Sequence, residues 1–247
     1  MRIIDCEWEL KNIGKKTCEV LIDKNDIVDD NLLHVLDSEY EYQVVKVDPD
    51  NIAANIKLGD NGFHLVETQI DLELKYQEFN FNDSLIKYIE PDISFKDINE
   101  REGFEGILNR VTPEMFITDR IALDPYFGLD YSYMRYCNWM KTAFDNQTAQ
   151  FLSLQYKGEG VGFSMYRIKD GIWHGDLGGI FPSAGVGLGL MLVSGGFIYI
   201  KQRGLNIKKI VTSISSNNAS VIQPYNYCHF SFKKFKYVFV KHKNSSI

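Results

Sequence analysis

The chain has 247 residues, 45% of them hydrophobic and 24% charged, enough to bury the core of one large domain or two small ones. Its formal charge of −6 excludes bulk attraction to nucleic acid or to an anionic membrane surface as the basis of its function. Four cysteines, Cys6, Cys18, Cys137 and Cys228, stand far apart without CxxC or Cys/His ligand spacing, so no metal site and no disulfide framework is expected.

The opening residues, MRIIDCEWELKN, lack the apolar stretch of a signal peptide, and a cytoplasmic location is expected. YQVVKVD (42–48) reads as a strand, NIAANIKLGDNGF (51–63) as a helix, and VETQIDLEL (66–74) as an alternating strand. A charged, irregular stretch follows at about 77–101. DRIALDPYF (119–127) reads as a loop, and DYSYMRYCNWMKTAF (130–144) as an amphipathic helix with Tyr133, Tyr136 and Met140 at helical spacing. Residues 151–180 read as three antiparallel strands joined by tight turns at KGEG and KDG, the third strand running over 173–181.

The run 177–200 carries no charge, and its length suffices for a bilayer, which needs roughly 20 apolar residues. Seven glycines, Pro182 and two serines break it, so no membrane span is expected. It reads instead as strand end, turn (182–186) and helix (187–203), with Lys201 and Arg203 in the last turn and Gly204 as the stop. A glycine-rich turn opening a helix leaves backbone N–H groups pointing one way, which makes an anion site. No lysine follows these glycines, so the turn is not a P-loop. Gly185, Gly187 and Gly189, with Leu190 beyond, miss the dinucleotide spacing as well. The alternative is a packing turn whose glycines only allow close helix–sheet contact.

The residues beyond supply that signal. Residues 207–217 alternate like a strand, 218–230 read as a short helix ending at an aromatic, and 236–242 as a strand. Ala184, Gly187 and Gly189 lie on the pattern [QR]xxGx[GA]. Asn218, Val221, Pro224, Tyr225 and Phe230 follow NxxAxxLYxxxGF. This C-terminal region resembles the GCN5-related N-acetyltransferase (GNAT) superfamily. The resemblance implies an α/β (α+β) fold with a mixed, mostly antiparallel central sheet flanked by helices. It implies acetyl-CoA as cofactor, with its pyrophosphate on Ala184, Gly185, Val186, Gly187, Leu188 and Gly189. The pantetheine arm would lie beside Gly179, Ile180 and Phe181, with Asn218 nearby, and bare Gly178 and Gly179 would leave room for the thioester. Tyr225 stands where the family places its general acid. The base stays open between His174 and Asp176, and an amine arriving neutral needs none. Two positions depart from the pattern. Ala184 replaces Gln or Arg and is expected to weaken coenzyme binding without abolishing it. His229 replaces glycine where a positive φ costs more.

Residues 51–63 share the register of 218–230: Asn51 with Asn218, Ala54 with Val221, Leu58 with Tyr225, Phe63 with Phe230. This partial repeat lacks both the glycine turn and the tyrosine. The expected organisation is a small, divergent, non-catalytic GNAT-like domain (1–76), a linker (77–103) and a catalytic GNAT domain (104–247). Trp8, Gly14-Lys15-Lys16, Gly62-Phe63, Thr118-Asp119-Arg120, Asp124, Phe127 and Trp139 resemble one subgroup, the acetyltransferases of dTDP-linked 4-amino-4,6-dideoxyhexoses such as dTDP-fucosamine. That resemblance implies a small-molecule amine acceptor, a sugar nucleotide used in surface polysaccharide synthesis. Asp119, Arg120, Asp124 and Tyr133 would contact it, and a homodimer is an open assembly. The rivals are another amine acceptor (peptide N-terminus, polyamine, antibiotic) and a non-catalytic CoA-binding module. An acidic pocket would favour a polyamine, an aromatic and basic one a sugar nucleotide.

Overall fold

The computed structural model describes residues 1–185 and 188–243, so Val186 and Gly187 of the glycine turn lie outside the described residues. The first half runs β1 (Arg2–Asp5), α1 (Glu7–Ile13), β2 (Thr17–Ile22), α2 (Asp30–Glu39), β3 (Tyr42–Val47), α3 (Ile52–Asp60) and β4 (His64–Lys75). Then come α4 (Ser84–Ile89), β5 (Ile93–Asp97), α5 (Arg101–Leu108), α6 (Arg120–Leu123) and α7 (Leu129–Asp145). The rest is β6 (Gln150–Tyr156), β7 (Glu159–Lys169), β8 (Ile172–Ile180), α8 (Gly189–Arg203), β9 (Lys209–Ser215), α9 (Ala219–Tyr227) and β10 (Ser231–His242).

All ten strands join one sheet in the order β1-β2-β3-β10-β4-β9-β8-β7-β6-β5. Two neighbouring pairs are parallel, β2 with β3 and β8 with β9, each connected by a helix, and the others are antiparallel. The mixed, mostly antiparallel sheet is the one expected. Its strand order holds a feature the sequence did not suggest. β4, from the first half, lies between β9 and β10 of the second, and β10 lies between β4 and β3 of the first. Each half therefore completes its sheet with the last strand of the other. The offset that places Asn51 on Asn218 places Gln69 on Lys236, and these two residues are themselves paired across the strands. An approximate two-fold axis thus passes through the Gln69–Lys236 pair.

The stretch 77–103 differs from the expected linker. It holds α4 and β5, and Phe79, Ile86, Ile89, Ile93 and Ile98 are buried. Its apolar residues are widely spaced among charged ones, which hides the pattern; packing against α8 and β6 makes it structure. The loop at 119–127 also contains a helical turn, α6, capped by Asp119, whose Oδ1 accepts from the Ala122 N–H at 2.9 Å.

One face of the sheet's second half is covered by α4, α8 and α9, with Phe197, Ile198 and Ile200 fully buried. The opposite face is covered by α5 and α7, around Phe104, Met140, Phe163 and Met165. α8 ends at Gly204 in the left-handed conformation, φ 60°, as expected. All four cysteines are buried and unbridged. Among the described residues no helix is long and apolar enough to cross a membrane, and no His, Cys, Asp and Glu cluster is placed to hold a metal.

Candidate active site

β8 and β9 pair in parallel only from Ile172↔Lys209 to Gly175↔Thr212. β8 then runs on to Ile180 along β7, and β9 runs on to Ser215 along β4, so the two part. Beyond Gly175 the β8 edge that faced β9 is left without a strand partner, and backbone groups there are available to an extended ligand. The Thr212 hydroxyl donates to the Gly175 carbonyl at 2.9 Å, at the point where the strands separate.

A cavity of about 410 Å3 passes through this opening, within the range of small-molecule sites. On one face its walls are Leu192, Gly196, Asn218, Val221 and Tyr225, from α8 and α9 and the turn between β9 and α9. On the other they are Asp119, Arg120, Arg135, Tyr136 and Trp139 of α6 and α7, with Glu67 and Gln69 of β4. The swapped strand thus carries first-half residues into the second half's site.

Tyr225 hydrogen-bonds with Thr212, and burial pushes its hydroxyl up to about 12, the Thr212 bond working against the rise. It is protonated at neutral pH. Its ring meets Phe230 edge-on at 4.9 Å. His229, between the α9 end and Phe230, adopts φ 60°, so the positive-φ turn forms without glycine. The first half's counterpart, Gly62, has φ 78°.

α8 begins at Gly189, two residues later than expected, with Leu188 at the cap position. No side chain caps it and its first turn holds no acidic residue, so its leading N–H groups are available to an anion. Gly185 takes φ 82° as the chain enters the turn. Ala184 and Leu188 pack on the core beneath, with Ile180. Phe181 is itself core, 2% exposed, with the Arg110 guanidinium 4.0 Å over its ring. Gly178 lines the cavity and Gly179 does not. A Cβ on Gly178 would meet the Phe163 carbonyl oxygen at 3.2 Å and Leu192 at 3.3 Å, and one on Gly179 would meet the Met115 methyl at 2.5 Å. The space over Gly179 is filled by Met115, while a side chain at Gly178 would press on backbone and Leu192 at the cavity wall.

The two candidate bases fall differently. His174 pairs with Arg167 and lines a shallow groove beside the cavity rather than the cavity itself. Asp176 reaches both, but the Arg167 guanidinium holds its carboxylate through two bonds of 2.6 and 2.7 Å. Of the acceptor residues, Asp119 and Arg120 line the cavity while Asp124 and Tyr133 do not. Asp124 is 1% exposed, with its Oδ2 2.8 Å from His242 Nε2, and Tyr133 packs with the α5–α7 core. The α7 helical phase turns Arg135, Tyr136 and Trp139 toward the cavity instead.

Beneath Asp119 and Arg120 lies a charge cluster that sequence reasoning missed. Glu9 of α1 is fully buried and accepts from Arg120 Nη2 at 2.8 Å and from Arg135 Nε at 2.8 and 3.0 Å. Burial opposes the Arg120 charge, yet neighbouring carboxylates, Glu9 foremost, hold its guanidinium above its ordinary value. Asp119 Oδ1 accepts from Ser132 Oγ at 2.8 Å, while its Oδ2 is buried with no hydrogen-bond partner. Burial pushes the Glu67 carboxyl above its ordinary value, against a hydrogen bond from Ser215 and the charge of Arg120. No sequence signal marks Glu67, because an acid on an alternating strand reads as a solvated face.

A strand–helix–strand unit that splits beside a helix N-terminus, in a largely antiparallel sheet, defines the GNAT fold, and solved structures carry the same architecture. A functionally unknown conserved protein from Staphylococcus epidermidis matches with TM-score 0.59 at 13% identity, over 92% of this chain and 84% of that one. A tandem GNAT protein from the clavulanic acid biosynthesis pathway matches with TM-score 0.55 at 12% identity, over 95% and 77%. A GCN5-related N-acetyltransferase from Sphaerobacter thermophilus matches with TM-score 0.54 at 13% identity, over 83% of this chain; the match spans 61% of that protein's length. At these identities the shared property is the fold. No protein-family model and no curated protein sequence matches the chain.

Proposed function

We propose that this chain is an acetyl-CoA-dependent N-acetyltransferase whose acceptor is the amine of a nucleotide-linked amino sugar, of the dTDP-4-amino-4,6-dideoxyhexose type. Residues 104–247 hold the coenzyme and the general acid, and 1–76 bind no coenzyme of their own. The observation that carries the reading is the cavity through the β8/β9 split, which joins Tyr225 and Leu192, one turn beyond the uncapped start of α8, on one face to a polar, aromatic-walled chamber on the other. Acetyl-CoA enters as a substrate that supplies an activated acetyl group. The residues fit it: the α8 N-terminus suits the pyrophosphate, the open β8 edge suits the pantetheine amides, and Tyr225 carries a proton for the departing thiolate.

The sugar nucleotide is favoured by what adjoins the chamber. Trp139, 37% exposed at the cavity wall, offers a flat face for a sugar ring, while Tyr136 beside it is stacked on Phe116. The cavity runs into the groove over β8, β9, β4 and β10, where Lys233 and Lys234 suit a diphosphate beside Arg167 and Lys236, which are paired with Asp176 and Asp71. The test is thiol release from acetyl-CoA in the presence of dTDP- and UDP-linked amino sugars, polyamines and free peptides. Selective turnover of dTDP-amino sugars is expected. Turnover of polyamines alone would overturn the acceptor, and acetyl-CoA binding without any turnover would overturn the enzyme.

A further inference from the structure

We infer that Glu67, supplied by the first half on the exchanged strand β4, is the base that deprotonates the acceptor amine, and that Asp119 receives that amine as its ammonium form. The inference rests on the acetyltransferase reading and assigns the step that reading leaves without a residue.

The geometry supports this on four counts. Glu67 and Asp119 line the same cavity, on the face opposite the α8 and α9 walls. Ser215, whose hydroxyl donates to Glu67, stands at the end of β9, just past the point where the strands part. Asp119 Oδ2 is buried without a hydrogen bond although Oδ1 is doubly bonded, its nearest cation being Arg135 Nη1 at 3.9 Å, so a hydrogen-bond acceptor is held ready for a donor. Finally, Arg120 Nη2 and Arg135 Nε both bond Glu9, with Arg135 Nη1 3.9 Å from Asp119 Oδ2 and Arg120 Nε buried without a partner. Arg120, Arg135 and Lys46 against the carboxylates of Glu9, Asp119, Glu67 and Glu19, the ion-pair partner of Lys46, leave one negative charge in excess when Glu67 is ionised, which a cationic amine neutralises. Neither His174, outside the cavity, nor Asp176, held by Arg167, is placed as well.

The step balances as follows. The ammonium bound at Asp119 gives one proton to the Glu67 carboxylate. The freed nitrogen lone pair forms the N–C bond with the acetyl carbonyl carbon. The C–S bond breaks, its electron pair leaves with sulfur, and Tyr225 gives that thiolate its proton. The second nitrogen proton, shed as the amide forms, restores Tyr225. Glu67 returns its proton to solvent, so each transfer releases one proton overall.

The charged groups facing Glu67 are Asp119 and Arg120 from α6 and Lys46 from β3, with Ser215 as its hydrogen-bond donor from β9. Burial dominates and raises the carboxyl. Below that raised value Glu67 already carries a proton and accepts none, so kcat/KM falls with acid along a limb above the ordinary glutamate range.

The experiment measures kcat/KM against pH, by thiol release with a dTDP-4-amino sugar and with the other panel amines, for the parent chain, Glu67→Gln and Ser215→Ala. Glu67→Gln is expected to lose about 10²-fold at neutral pH, to lose the acidic limb, and to recover as the free amine becomes neutral at high pH. Its acetyl-CoA affinity stays at the parent value, and its Tm is held or raised because an ionised, desolvated carboxylate has been removed. Ser215→Ala moves the acidic limb to higher pH, since the bond that favours the ionised form is gone; a purely structural Glu67 would leave the limb in place. If the parent turns over while Glu67→Gln matches it at every pH, the assignment falls and the acetyltransferase stands. If the parent turns over no amine, both fall.

Discussion

β2 and β3 stay paired over six residues, Thr17↔Tyr42 to Ile22↔Val47, whereas β8 and β9 pair over four and then part. The connecting helices differ in the same sense. α2 is capped by Asp29, whose carboxylate accepts from the Leu32 N–H at 2.8 Å, and Asp30 opens its first turn. α8 has Leu188 at the cap and no acid. An anion approaching α2 meets a carboxylate already on the N–H groups; one approaching α8 meets the N–H groups themselves. After the second parallel strand, Leu58, 1% exposed, stands in the register of Tyr225. One strand–helix–strand plan therefore gives a closed, acid-capped unit in the first half and an open, uncapped one in the second. On the proposed reading, function on this fold turns on a strand split, one cap and one hydroxyl, while the sheet stays continuous through both halves.

The hydroxyl is the difference with the largest expected effect. Tyr225→Phe makes this position as apolar as Leu58. Thr212 still donates to the Gly175 carbonyl, so no donor there is orphaned. We expect kcat to fall about 10²-fold, with acetyl-CoA affinity and Tm unchanged. Stopped-turnover thiol assays and calorimetry read both quantities. A variant at the parent rate would remove the tyrosine from the comparison and leave the split and the cap to carry it.

The cap comes next. Leu188→Asp would copy Asp29 onto α8, and Leu188→Asn would cap equally without charge. Both lose the Leu188 contact with the core, so their ratio isolates the charge. Acetyl-CoA should bind the Asp variant at least tenfold more weakly than the Asn variant, about 1.4 kcal/mol, and the gap should shrink in high salt. Equal affinities would mean that the α8 N-terminus does not meet the pyrophosphate.

Much of the second half was legible before any coordinates. The β8–α8–β9–α9–β10 order follows from periodicity, and the Gly204 stop from helix-end chemistry. The His229 turn shows that a fixed spacing identifies a positive-φ position even when glycine is absent. What was not legible depends on partners distant in sequence. The β4 and β10 alternation specifies two strands and nothing about which neighbours they choose, so the exchange was invisible, and Glu67 with it. Glu9 sits on an exposed-looking helix between Trp8 and Leu10, which are 55% and 57% exposed; only the two arginines that fold over it bury it. Asp124 and Tyr133 show the converse error. Their residue types suit a sugar, but the α6 turn and the α7 phase direct them to His242 and to the core.

The smallest effect tests whether the α3–β4 and α9–β10 junctions are one turn written twice. Gly62 and His229 have φ 78° and 60° at matching positions. A side chain in this region costs an L-residue roughly 1–2 kcal/mol, offset by glycine's greater freedom in the unfolded chain, roughly 0.5–1 kcal/mol. His229→Gly should therefore gain up to about 1 kcal/mol, a Tm rise of roughly 2–4 °C for a chain of this size. Gly62→Ala should lose about as much by strain alone, because nothing lies within 4 Å of the added Cβ. Hydrogen bonds from Tyr227 and the Ile86 and Leu85 N–H groups hold the Asp83 carboxyl below its ordinary value, and His229 adds the smallest part, which its removal forfeits. High salt, which screens the Asp83 contact and leaves backbone strain untouched, separates the two contributions. If His229→Gly lowers Tm in high salt as well as in low, the histidine is there for its own packing, and the two junctions share a backbone angle without sharing its cause.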